Sequence, residues 1–375
     1  MREVEWPDLP QRLEVSKKGR SFMDPILLPD PVTFASAGIN EKHFRTFVFT
    51  GEFPAVPLCI SAEAQAERIP DWDGPDYQFS LNPQFYYADN SCLNECYLCF
   101  APGNHGWQRQ SLYLRPRLPL KRITVTYFFE HKAGRVAYRD VRIEPVPARP
   151  EPERRILLLG DSNVITSDLD PAVRVEACLQ ALLAATVPGL LIEVENGGRS
   201  GESFQTLLEQ KRYERDVLTL GCVDIAFLRY GANDRKIYGA AEFARLQREV
   251  IRRLRADFPG IRIVLETGTF LDYPAHYNTD VNAAMAPYHE ATRALAPEAD
   301  AVLDVYELMK RATAGGNWDL RYRSHPQWKL ILDGRFDAEH NFAPDYYSNP
   351  HHTPPCNRLI ARAEHDLIVS KKWLP

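Results

Sequence analysis

The sequence predicts two domains of different class: an antiparallel all-β sandwich over residues 1–147 and a parallel-sheet α/β domain over residues 156–375, joined by a Pro-rich linker over 148–155. Three observations carry this prediction. At 375 residues the chain exceeds the length at which one hydrophobic core usually keeps growing. The first part is rich in proline and carries short β-branched and aromatic runs separated by turn signals. From Ile156 onward, apolar runs ending at small or polar residues alternate with stretches of helical periodicity.

The runs FRTFVFTG, QSLYLRP, RITVTYFFEH and GRVAYRDVRIEPV read as strands of a sandwich, since several short strands with little helical periodicity pack most readily as two facing sheets. The last run alternates Val136, Tyr138, Val141 and Ile143 imperfectly, and a bulge near Asp140 restores the phase. EPVPARPEPERR follows, charged and Pro-rich, the composition of a stiff connector. RILLLGDSN then has the form of a buried parallel strand feeding a tight turn. LLIEVENGG, VDIAFLRYGAND, IRIVLETG and DAVLDVYE repeat that form, with AEFARLQREVIRRLRADF and TDVNAAMAPYHEATRALA as helices between them. Such alternation gives a parallel sheet covered on both faces, whose ligands sit outside the carboxyl ends of the strands. Near the C-terminus, Thr353 serves as an N-cap, Pro354 suits the first helical turn, and Leu359, Ile360, Ala363 and Leu367 repeat at helical spacing as a buried stripe.

Composition narrows the function classes. With 45% hydrophobic and 25% charged residues and a net charge of -5, the chain is an ordinary globular one without the basic face that phosphate neutralisation demands, so no nucleic-acid partner is expected. The N-terminal twenty residues lack an apolar signal core, and no run approaches a membrane span, so a cytoplasmic location without a membrane partner is the default expectation. Seven cysteines, an odd number in a long chain, favour a reducing compartment.

Each of the first three α/β strands stops at a small polar cluster: Gly160-Asp161-Ser162-Asn163, Asn196-Gly197-Gly198-Arg199-Ser200-Gly201-Glu202, and Gly231-Ala232-Asn233-Asp234. Adjacent strand tips bring such clusters together, and their chemistry points to acyl transfer. A serine on a strand-to-helix turn is exposed for attack, with the positive helix end and nearby N–H groups available to a developing oxyanion. A glycine lets backbone approach that oxygen, and an asparagine amide supplies another donor. These blocks, in this order and followed by a late histidine before the final helix, resemble the SGNH (GDSL-like) hydrolases. The resemblance spans residues 156–370 and implies a flavodoxin-like sheet. It also implies Ser162 as nucleophile and N–H donor, Gly201 as backbone donor and Asn233 as side-chain donor. The G-x-S-x-G elbow of the α/β-hydrolases is absent.

A serine nucleophile needs a base, usually a histidine held by a carboxylate. The resemblance places an Asp three residues before that histidine. The literal Asp-x-x-His, Asp337 to His340, is followed by NFAPDYYSNP, in which no helix can begin. Matching HHTPPCNRLIA to the family's pattern makes His351 the base and puts Ser348 where the Asp belongs; the register of His352 puts Asn349 there instead. Asp345, Asp337 or a backbone carbonyl is then left to orient the imidazole.

Cys92, Cys96 and Cys99 have a C-x₃-C-x₂-C spacing that resembles the iron–sulfur motif of radical S-adenosylmethionine enzymes. The long run of βα units needed after it is missing from the first domain, so they are read as core or loop cysteines. PDWDGPDYQF and NPQFYYADN set aromatics among turn residues, and FEHKAGRVAYRDVRIEPV loosely resembles the closing strands of jelly-roll carbohydrate-binding modules. The expectation is a serine esterase working through an acyl-serine intermediate on a small-molecule or polysaccharide ester, a carbohydrate O-acetylesterase above all, without metal or organic cofactor. A lipid or thioester acylhydrolase and a carbohydrate-binding protein with a weakened hydrolase domain are the alternatives.

Overall fold

A computed structural model describes residues 12–16, 25–29, 31–38, 41–69, 77–93, 97–130, 132–209, 211–270, 281–314 and 351–375. Two compact units divide the chain, Met1–Arg149 with Ser167–Pro171, and Pro150–Thr166 with Ala172–Pro375.

The first unit holds ten strands among the described residues: β1 Arg12–Ser16, β2 Ile26–Leu27, β3 Val32–Ser36, β4 Lys42–Phe53, β5 Leu58–Ile69, β6 Phe79–Tyr87, β7 Leu98–Cys99, β8 Gly103–Leu114, β9 Leu120–Glu130 and β10 Gly134–Pro145. One sheet runs β1-β4-β9-β6-β7; the other runs β2-β10-β5-β8, with β3 also paired to β10. From β3 to β10 every connection except β6–β7 passes from one sheet to the other, the wrapped double-sheet order of a jelly roll. Phe47, Phe85 and Tyr127 from one sheet meet Leu58, Ile60 and Tyr138 from the other in a single buried core. The bulge expected near Asp140 is present, where the β10–β5 register shifts between Arg139 and Arg142 and Asp140 takes a left-handed φ of 51°.

Two strands escaped the sequence reading. In β5 the inward residues are Ala62, Ala64 and Ala66, so its alternation consists of side chains with little β-propensity, and only facing aromatics make the pattern apolar. β6 contains Pro83, part of the tract read as turn-rich. That strand tolerates a proline because β7 pairs only with Ser80 and Leu81, which leaves the stretch from Pro83 without a partner on that side in the named ladders.

The second unit is a parallel sheet of β11 Arg154–Gly160, β12 Ile192–Asn196, β13 Ile225–Arg229, β14 Arg262–Glu266 and β15 Ala301–Leu303, in the order β12-β11-β13-β14-β15. That is the flavodoxin-like order, with its switch point between β11 and β13. Helices follow the strands: α1 Ser162–Ile165, α2 Val175–Thr186, α3 Phe204–Glu209, α4 Ala240–Asp257, α5 Val281–Ala294, α6 Val305–Ala314 and α7 Pro354–Ser370. Parity along the strands sorts the core. Leu157, Leu159, Ala226 and Leu228 join one buried cluster; Ile156, Leu158, Ile225 and Phe227 join the other, with Cys356 and Ile360 of α7.

Thr353 caps α7, its hydroxyl accepting the Cys356 N–H at 3.4 Å, and Pro354 begins the helix. The buried stripe is rotated from the expected one. It runs through Cys356, Asn357, Ile360, Ala361, Glu364, His365 and Ile368, while Leu359, Ala363 and Leu367 are half-buried. Polar Asn357, Glu364 and His365 hide the inward face from any apolar-periodicity count.

The tightest point of the unit is Gly160, the last residue of β11. A Cβ there would collide with Val164 Cγ2 and with the Arg229 carbonyl of the neighbouring strand. Because backbone is one of the two obstacles, relaxation is expensive, and Gly160→Ala is expected to destabilise the unit by about 3 kcal/mol. The melting temperature should fall by roughly 6–12 °C. An unchanged melt would show that the turn relaxes freely.

Candidate active site

Ser162 stands directly after the carboxyl end of β11, as the first residue of α1. Asp161 caps that turn, its carboxylate accepting the Asn163 N–H at 2.8 Å and the Asn163 amide at 3.0 Å. The capping and nucleophile readings of Gly160-Asp161-Ser162 are therefore compatible: Asp161 caps, and Ser162 stays half-buried, its hydroxyl and N–H engaged in no hydrogen bond among the described residues. α1 is a single turn, ended by Thr166 in the left-handed region at φ 40°. An oxyanion beside Ser162 would feel local N–H dipoles rather than a macrodipole.

The second tip loop is tied onto this turn. Gly197 N–H donates to the Leu158 carbonyl at 2.8 Å and Arg199 N–H to the Gly160 carbonyl at 3.0 Å; Asn196 Nδ2 reaches the Val164 carbonyl at 2.9 Å. Gly201 follows with φ 74°, exposed, and nothing lies within 4 Å of where its Cβ would be. The left-handed backbone favours glycine there, and the open space beside it leaves its N–H approachable. Its N–H has no acceptor among the described residues.

The third tip closes the arrangement. Asn233 Nδ2 donates to the Glu202 carbonyl at 3.1 Å, next to Gly201, which leaves its second amide hydrogen available. Asp234 is the organiser. Its buried carboxylate accepts the Phe204 N–H at 3.0 Å, the Gly231 N–H at 2.9 Å and the Tyr238 hydroxyl, joining the second and third loops. Behind them, Glu202 receives the Tyr230 hydroxyl at 2.9 Å and pairs with Arg212 at 3.2 Å; Arg212 and Arg199 both pair with Asp216, at 3.0 and 3.1 Å. This charged layer was missed by sequence reasoning, because each residue looks like ordinary loop charge until the sheet stacks the loops. If Asn233 is an oxyanion donor, Asn233→Ala should cost about 10²- to 10³-fold in kcat with little change in KM. A loss confined to KM would assign Asn233 to ground-state binding.

His351 is half-buried just before α7, within electrostatic reach of Asp161, the neighbour of Ser162. Burial pushes the Asp161 carboxyl above its ordinary range, while hydrogen bonds from Asn163 and the charges of Arg229 and His351 draw it back. His352 is fully buried, its Nε2 3.0 Å from Thr269 Oγ1 beyond the end of β14. Ser162, Gly201, Asn233 and His351 all belong to the second unit. Asp337, His340, Asp345, Ser348 and Asn349 lie outside the described residues.

Beneath the histidines sits a second charged cluster. Arg229 and Glu266 end adjacent strands in register and pair at 3.4 Å; Glu364 of α7 approaches Arg229 at 3.9 Å, and all three are essentially inaccessible. A signal for it existed: IAFLR and IVLE close on opposite charges at matching positions of neighbouring apolar strands. Of the three motif cysteines, Cys99 is buried in β7, Cys92 is half-buried, and Cys96 lies outside the described residues. Among the described residues no group of three His, Cys, Asp or Glu is arranged to hold a metal, and no helix is long and apolar enough to cross a membrane.

A parallel α/β sheet with polar loops interlocked at its carboxyl edge, one of them presenting a serine, defines the class. Residues 158–329 match the model of the GDSL-like lipase/acylhydrolase family. No curated protein matches the chain. Among solved structures it is similar to a Bacillus subtilis protein, at 15% identity and TM-score 0.43 over 86% of this chain and 80% of that one. It is also similar to an acetylxylan esterase from Geobacillus stearothermophilus, at 17% identity and TM-score 0.42 over 61% and 99%. A third is an alpha/beta hydrolase enzyme from the metagenome of Lake Arreo, Spain, at 17% and 0.42 over 60% and 97%.

Proposed function

We propose that the protein is a serine esterase that cleaves a carboxylic ester through an acyl-serine intermediate. The observation that carries this reading is the locking of three strand tips around a half-buried serine whose hydroxyl and N–H are both uncommitted. Ser162 Oγ attacks the ester carbonyl and passes its proton to His351. The oxyanion that forms accepts from the Ser162 N–H, the Gly201 N–H and the Asn233 amide. Collapse breaks the carbon–oxygen bond to the alcohol, which leaves with the proton held by His351. Water then repeats the sequence on the acyl-serine and releases the acid, restoring both residues.

For the substrate we favour an O-acetylated carbohydrate. Support comes from the accompanying jelly-roll unit, whose β8 carries Trp107 and Tyr113 on one face, partly exposed, with Arg139 and Arg149 stacked on them at 3.9 Å each. Flat aromatic surface of this kind suits a ring-shaped ligand better than an extended acyl chain. The test compares p-nitrophenyl acetate with octanoate, together with acetate release from acetylated xylan. Turnover of acetate and xylan but not octanoate is expected. Preference for octanoate would point to a lipid acylhydrolase, and polysaccharide binding without turnover of any ester would overturn the enzyme reading.

A further inference from the structure

Resting on the esterase reading, we propose that His352 is a positioning residue: through Thr269 it clamps the segment carrying His351 onto the end of β14 and so sets the base against Ser162. Among the described residues, three features converge on this imidazole. Its Nε2 lies 3.0 Å from Thr269 Oγ1, with the whole side chain out of solvent. Asn357 of α7 also acts on the imidazole, and its amide donates to the Val173 carbonyl at 3.1 Å and to Thr166 Oγ1 at 3.4 Å, at the end of the nucleophile's own turn. The third feature is the Arg229–Glu266–Glu364 cluster beneath.

The cluster explains why the clamp is constant. One guanidinium faces two carboxyl groups in a buried place, and leaving both ionised would strand a net negative charge there. Burial pushes the Glu364 carboxyl well above its ordinary range, Glu266 adds to the push and Arg229 opposes it; Glu176 of α2 raises it further. The pressure on the pair is therefore toward carrying less negative charge, which lessens the pull that the carboxyl groups exert on neighbouring imidazoles. His352 then faces Arg229 and His351 as its charged or chargeable neighbours. Burial, with repulsion from both, keeps the imidazole far below its ordinary pKa, so it stays uncharged while His351 takes and returns protons. A residue whose charge never changes can hold geometry through every turnover.

Two measurements test this. In kinetics, His352→Ala should lower kcat about 10²-fold with KM within about twofold, the size expected when a reacting group is misplaced by an ångström. His352→Gln, which can place an amide near the lost Nε2, should recover kcat to within about tenfold of the parent and keep the acid limb of the pH profile, because His351 still titrates. Normal kcat in His352→Ala, or loss of the acid limb in His352→Gln, would overturn the proposal. The second measurement needs no turnover: imidazole NMR on the full chain, assigned with His351→Gln and His352→Gln, comparing the parent with Thr269→Val. Movement of both His351 and His352 signals is expected, whereas movement of His352 alone would show that the clamp does not reach the base. Failure of the esterase reading would appear as absent turnover in the parent chain and would leave this second result intact.

Discussion

Ser162→Ala is expected to lower ester turnover by on the order of 10⁴-fold or more while leaving the fold untouched. The first half of that expectation follows from chemistry, because without Oγ no acyl intermediate can form, and only the oxyanion donors and substrate binding remain. The second half follows from the structure. Ser162 Oγ engages in no hydrogen bond among the described residues, and the turn is capped by Asp161 instead, so deleting the hydroxyl orphans no partner. The change in stability should stay within about 0.5 kcal/mol. Few substitutions separate activity from stability so cleanly. Kinetics with p-nitrophenyl acetate and a thermal melt on the same preparation check both halves, and retained turnover would remove Ser162 from the mechanism.

His351→Ala should cost nearly as much, about 10⁴-fold in kcat, with the acid limb of the pH–rate profile lost along with it. The magnitude is large because serine is a weak nucleophile at neutral pH without a base to take its proton. The assignment between adjacent histidines turns on exposure: His351 is half-buried and within electrostatic reach of Asp161, whereas His352 is sealed beneath it. A sealed imidazole repelled by Arg229 is poorly suited to carry a proton during the reaction. Retention of activity in His351→Ala with loss in His352→Ala would reverse the two roles.

Much of this was legible in order along the chain. The apolar runs ending at Gly160 and Arg229 announced parallel strands, since a strand buried on both faces must be apolar throughout, and the small polar clusters that follow them and the edge strand at Asn196 announced the site. The bulge at Asp140 could be read because side-chain alternation has a period of two, and one extra residue shows as a phase slip. Legibility ended where side chains contradict their surroundings. The alanines of β5 and the proline of β6 carry no strand signal, because their burial comes from partners distant in sequence. The inward face of α7 was rotated in the reading because Glu364 and His365 occupy core positions that a periodicity count reserves for apolar residues.

From residue types and spacing came the two-domain plan, the doubly covered parallel sheet, Ser162 as the residue presented at the first strand end and the helix start at Thr353, while the choice of His351 rested on the family resemblance. All but the last are local matters, set by propensity, capping and period. Only the folded chain decided that Gly201 takes a left-handed backbone, that Asp234 and the Glu202–Arg212–Asp216 layer hold the loops together, and that Arg229, Glu266 and Glu364 meet under the histidines. A charged residue in a sequence looks the same whether it faces water or a partner. Its meaning depends on what the sheet places opposite it, because burial raises the cost of an uncompensated charge by several kcal/mol and makes a matched set worth assembling.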